Sequence, residues 1–123
     1  MDFQVEIQLW EDALGFSPVE QYILGLPPED QAWIASRVDY VERMLWTQIL
    51  FSKYFEKVKG IRFSLWELKF VATGQRNYRL LSFPWKSQIV GVEMFAGSGS
   101  GGKVMKHVPI AIVRADDWMR RHP

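Results

Sequence analysis

Three basic side chains, Lys69, Arg76 and Arg79, stand in the stretch LWELKFVATGQRNYRLLSF, residues 65–83, whose other residues have the pattern of a buried β-hairpin. Cations so placed need a counter-charge, and a guanidinium beside an ammonium is a ready binder of phosphate. A turn centred on Gly74 sets Lys69 opposite Arg79, and a second centred on Lys86 sets Arg79 opposite Glu93. The three then form one row on one sheet face. Like charges directly opposite each other are destabilising, so the row has two readings. In one, a bound phosphate uses Lys69 and Arg79. In the other, Arg79 and Glu93 form a surface ion pair of little energetic weight, and Lys69 is solvated.

The rest of the composition narrows the chemistry. The chain has no Cys and only two His, His107 and His122. That removes disulfides and thiolate metal sites and leaves too few ligands for a typical zinc cluster, so neither metal nor cofactor is expected. Residues 97–103, GSGSGGK, match a phosphate-loop pattern, but Val104 replaces the hydroxyl residue and Pro109 follows closely. A phosphate loop needs a helix starting at once, so the segment reads as a flexible loop. The net charge of +1 conceals −7 over residues 1–52 and +8 over 53–123. Segregation of this kind gives one face that attracts a polyanion, or else a dipole with no ligand. The N-terminus, MDFQVEIQLWED, is unlike a basic signal peptide. No apolar run approaches the roughly 18 residues of a membrane span, so a soluble, cytoplasmic protein is expected.

These residues need a scaffold. A chain of 123 residues, 48% hydrophobic, suits a single domain. Phe3, Val5, Ile7 and Leu9 alternate with polar residues, which predicts a half-buried first strand. Ser17-Pro18-Val19-Glu20 has the form of an N-cap, a first-turn proline and a capping box, and starts a short helix ending near Gly25. Ile34, Val38, Val41 and Leu45 recur at helical spacing and predict a long second helix over 28–47. Three strands follow, 66–70, 78–83 and 88–95, joined by turns at Thr73-Gly74-Gln75 and Trp85-Lys86-Ser87. Such short connections force an antiparallel meander. A last amphipathic helix spans 108–121, with Pro109 in its first turn. The expected class is α/β in the order β-α-α-β-β-β-α, an antiparallel sheet with a helical hairpin on one face and a C-terminal helix, leaving the other face partly free. Trp33, Trp46 and Trp66 read as core, whereas Trp10 and Trp85, at strand ends, could stack on RNA or rest on the surface.

The order and three stretches together resemble the RelE/ParE toxin superfamily, in its phage-derived HigB-type branch. The stretches are SPVEQYILGLPPEDQAWI (17–34), similar to the family's helical hairpin, VKGIRFSLWELKF (58–70), similar to its basic strand, and NYRLLSF (77–83), similar to its "yR" strand. The resemblance covers roughly residues 3–95 and implies a toxin of a type II toxin-antitoxin system. Such a toxin cleaves messenger RNA at the ribosome and is neutralised by a helix-turn-helix antitoxin. A non-catalytic binder on the same scaffold, a gyrase inhibitor or a phage regulatory protein, is the alternative. Carried over by position, Lys69 and Arg79 bear on the phosphate. Lys103 and Lys106 stand near the family's basic segment after the last strand, and Arg76, Lys103, Lys59 and Arg62 are the further cations expected to contact RNA. The sequence departs from the family at Glu93, where His is common, and in the Gly-Ser segment before Lys103 and Lys106. Metal-free cleavage must take a proton from a ribose 2′-hydroxyl, give one to the leaving oxygen and stabilise charge on the phosphate. Glu93 or His107 could be the base and Lys106 the acid, although a His just before a helix is also a common surface or capping residue.

Overall fold

The structure, a computed structural model, describes residues 2–71, 77–97 and 101–123. The expected turn at Thr73-Gly74-Gln75, Arg76 and the centre of the Gly-Ser loop lie outside the described residues. Strand β1 (Glu6–Leu9) leads to helices α1 (Pro18–Leu24), α2 (Pro28–Glu42) and α3 (Trp46–Leu50). Strands β2 (Phe55–Lys57), β3 (Trp66–Val71), β4 (Asn77–Trp85) and β5 (Gln88–Ala96) follow, then α4 (Gly101–Met105) and α5 (Val108–Arg121). Ser17 caps α1 as its sequence implies, accepting from the Glu20 amide at 3.2 Å.

The second helix is shorter than expected. It stops at Glu42 because the residues after it hydrogen-bond to the N-terminal segment: Val5 N donates to Met44 O at 2.8 Å and Trp46 N to Phe3 O at 2.9 Å. The helical spacing of Ile34, Val38 and Val41 therefore runs on to Leu45 while the backbone does not. Chain direction reverses there, and Gln48 accepts from the Leu45 amide at 2.8 Å to start α3.

All five strands form one sheet in the order β1-β5-β4-β3-β2. The meander β3-β4-β5 is antiparallel, and Lys69 faces Arg79 as the sequence predicts. The sheet is mixed rather than antiparallel throughout, because β1 pairs parallel with β5. The helices after β1 carry the chain across a face to β2 at the opposite edge, so β1 is left to pair with the last strand. Strand β2 has only three residues, too few to show an alternation, and the sequence reading misses it.

The β4-β5 register also differs from expectation. The turn is two residues, Lys86-Ser87, with Lys86 in the left-handed region at φ 56°. A bulge between Leu81 and Ser82 adds a second displacement. Arg79 therefore faces Phe95, and Glu93 faces Leu81. In a bulge the alternation of faces fails for one residue, which no count from the turn can anticipate. Gly91 lies beside it, and a Cβ there would stand 2.7 Å and 2.9 Å from the two methyl groups of Leu80, a buried side chain. Gly91→Ala should therefore cost about 1–3 kcal/mol through overpacking, read from urea denaturation. An unchanged midpoint would show that Leu80 has room to move.

Each sheet face has its own core. On one, Leu68, Phe70, Leu80, Ile89 and Met94 pack with Val19, Ile34, Val41 and Ile49 of the three helices. On the other, Leu81, Phe83, Val90, Val92 and Phe95 meet Val108, Ala111, Ala115 and Trp118 of α5, whose bounds are those expected. Trp10 and Trp85 secure that helix: Trp10 Nε1 donates to Asp117 at 2.9 Å and Trp85 Nε1 to the His122 carbonyl at 2.9 Å. Both therefore clamp α5. Trp33, Trp46 and Trp66, expected in the core, are only half-buried. The second face is therefore covered over β4 and β5 and leaves the β3-β2 end beside α4 for other uses. No helix among the described residues is long and apolar enough to cross a membrane.

Candidate functional site

The expected basic row exists, but its neutralising partners are different. On one face β2 and β3 set Glu56 directly opposite Glu67, while β3 and β4 set Lys69 directly opposite Arg79. Either like-charged rung alone would be unfavourable. The diagonals resolve both, with Lys69 Nζ 2.8 Å from Glu56 and Arg79 Nη1 2.6 Å from Glu67. Glu93 therefore does not neutralise Arg79, because the displaced register carries it away.

The two diagonals differ in burial. The Arg79 and Glu67 side chains are 15% and 12% exposed, so each is the other's main compensation for lost water. Arg79 Nε also donates to the Gly97 carbonyl at 3.2 Å. Glu56 is 56% exposed, and the Lys69 ammonium hydrogen-bonded to it holds its carboxyl below the usual range. Arg79 and Lys59 add to that field. Glu56 and Glu67 also line a groove of about 350 Å³ with Lys59, Val104 and Met105, which brings α4 over the charged end of the sheet.

Glu93 has another task. Its Oε2 lies 2.9 Å from His107 Nδ1, and its Oε1 accepts from Arg114 Nη1 at 3.0 Å. Arg114 also donates to the Val92 carbonyl at 2.8 Å, satisfying a backbone group at the bulge. A carboxylate only accepts, so Nδ1 carries the hydrogen and Nε2 of the neutral ring is left as the acceptor. The imidazole stacks on Phe95 with ring centres 4.3 Å apart and planes within 4°. Phe95 is the residue facing Arg79, so the oriented imidazole stacks on a cross-strand neighbour of the row. Its side chain is 28% exposed, which leaves it reachable.

The remaining candidates divide. Lys103, on α4, folds against Gly97 so closely that a Cβ there would lie 2.6 Å from its Nζ. Gly97, at φ 150°, is thus required both by backbone and by this approach, and it joins Lys103 to the carbonyl held by Arg79. Lys106 is exposed in the turn between α4 and α5, next in sequence to His107. Lys59 lies on the groove, and Arg62 is exposed in the loop between β2 and β3. Arg76 is outside the described residues. Sequence reasoning missed Glu56, Glu67 and Arg114. Glu67 was within reach, since residues two apart on a strand share a face and Glu67 precedes Lys69 by that spacing.

Among the described residues, no three or more His, Cys, Asp or Glu side chains are grouped to hold a metal ion. Compared with protein-family models, curated proteins and solved structures, the chain matches none.

Proposed function

We propose that this protein is a toxin of a type II toxin-antitoxin pair, with the RelE-like fold of the HigB-type branch, and that it cleaves messenger RNA on the ribosome without a metal. The observation that carries the reading is His107, oriented by Glu93 and stacked on the residue that faces Arg79. In this mechanism His107 Nε2 takes the proton of a ribose 2′-hydroxyl. The O2′ forms a bond to the adjacent phosphorus as the bond from phosphorus to O5′ breaks. The leaving O5′ receives a proton from an ammonium, and the products are a 2′,3′-cyclic phosphate and a 5′-hydroxyl.

Lys103, folded against the Gly97 whose carbonyl Arg79 holds, takes the acid role that the sequence reading gave to Lys106. Glu93 is a positioning residue, fixing the tautomer and plane of the imidazole rather than acting as base. Arg79 and Lys69 take the charge that builds on the phosphate, and for this the phosphate must displace Glu67 and Glu56. Exchanging one anion for another keeps the cations compensated, and the displaced Glu67 carboxylate, 12% exposed beside Arg79, must turn toward water for the exchange to be favourable. The cellular partners of this reading are the ribosome and a helix-turn-helix antitoxin, in the cytoplasm.

One observation favours a second reading. Both cations of the row already hold carboxylates, as they would in a purely structural network. A binder on the same scaffold, acting on a protein such as gyrase, needs no open phosphate site. Induction without an antitoxin separates the two: growth arrest with fragmented messages supports cleavage, and arrest with intact messages supports the binder.

A further inference from the structure

On the other side of β2 lies a cavity of about 580 Å³, lined by Leu50, Phe55, Lys57, Lys59, Ile61 and Trp66 among others. We propose that it is a nucleotide subsite for single-stranded RNA, in which a base stacks on Trp66 and its phosphate is held by Lys57 and Lys59. The role in cleavage rests on the function proposed above; the binding itself does not.

The stacking surface is prepared by the core. Phe55, which is 1% exposed, lies parallel to Trp66 with ring centres 4.7 Å apart and planes within 10°. It occupies one face of the indole, and both rings line the cavity. Trp66 Nε1 donates to Ser64 Oγ at 3.2 Å, which fixes the ring's polar edge. An aromatic ring held flat in this way accepts any base, since every base has a π-face.

The charge is arranged differently from that of the row. Lys57 stands directly across from Trp66 in the β2-β3 register, and Lys57 and Lys59 are exposed. Among the described residues neither has a carboxylate within ion-pair distance, whereas Lys69 and Arg79 each do. Gly60, at φ 83°, turns the chain at the rim with nothing within 4 Å of a Cβ position, so a ligand can approach. A flat apolar wall with two ammonium groups outside any ion pair among the described residues, beside a Glu56 carboxylate already held by Lys69, complements a base joined to a phosphate. An acidic peptide would use the lysines but not the flat face.

The position also suits the site across the sheet. The cavity and the groove beside Glu67 share the wall Glu56, Lys57, Val58 and Lys59. A strand with one base on Trp66 would pass its next phosphate over Lys59 toward Lys69 and Arg79. The subsite would thereby set which nucleotide precedes or follows the scissile bond.

The test is fluorescence anisotropy of the full chain with a labelled 2′-O-methyl hexanucleotide, which lacks the attacking hydroxyl and cannot be cut. Trp66→Leu should weaken binding about tenfold, and Trp66→Phe should retain most of it. The exposed double variant Lys57→Ala/Lys59→Ala should bind more weakly and lose about one to two units from the slope of log affinity against log salt. It decides the matter if Trp66→Leu does not fold. Folded variants that bind like the parent, or a parent that binds a Glu-rich hexapeptide and not the oligonucleotide, would overturn the proposal. A parent that binds the probe through Trp66 yet cuts no message on ribosomes would uphold the subsite and refute the cleavage.

Discussion

Replacing Arg79 by Ala is expected to damage both activity and folding, and the two losses should be separable. Cleavage should fall by a factor on the order of 10² or more, because the guanidinium binds most strongly as charge develops on the phosphate. Stability should fall by about 3–5 kcal/mol, since Glu67 would remain an uncompensated charge in a mostly buried place. This differs from the small effect that a surface pair of Arg79 with Glu93 would give. The double variant Arg79→Ala/Glu67→Ala removes both charges and should recover most of the stability in urea denaturation, while cleavage stays low. Arg79→Lys should recover part of the activity, because it keeps the charge but loses the planar fork. A folded Arg79→Ala that cuts messages as fast as the parent would make the quartet of charges purely structural.

His107→Ala should reduce cleavage by a factor on the order of 10² to 10⁴, the usual contribution of a general base. The fold should be nearly indifferent, moving by no more than about 1 kcal/mol, since Glu93 keeps its contact with Arg114 and no side-chain cap is lost. Added imidazole should restore part of the activity of His107→Ala and none of that of Arg79→Ala. A purely packing role against Phe95 would show no such rescue. Thermal melts and message-cleavage assays on the same preparations check both halves.

The contrast between these two residues shows where the sequence was legible. The pairing of Lys69 with Arg79 follows from counting outward from Gly74 with a strict alternation, both visible as residues. The cap at Ser17 and the bounds of α5 are equally local and could be read directly. That Glu93 is not the partner of Arg79 could not be read, because its place depends on a bulge at Leu81/Ser82, and the pairing of Lys69 with Glu56 depends on a three-residue β2 that leaves no periodic trace. His107 had the right chemistry in the sequence, but its orientation depends on α5 returning over β5, a tertiary contact. The end of α2 shows the same limit: a helical pattern continues through Met44 while hydrogen bonds to Val5 and Phe3 take the backbone elsewhere.

The central claim is that an oriented imidazole beside a phosphate-binding row cuts RNA by intramolecular attack. The most direct measurement is the mapping of message ends, and their chemistry, in a reconstituted translation system with the parent chain and with His107→Ala. The mechanism predicts cuts that require ribosomes, downstream fragments with a 5′-hydroxyl, upstream fragments with a 2′,3′-cyclic phosphate, and loss of both with His107→Ala. Intact messages with the parent chain, or cuts leaving 5′-phosphates, would contradict it.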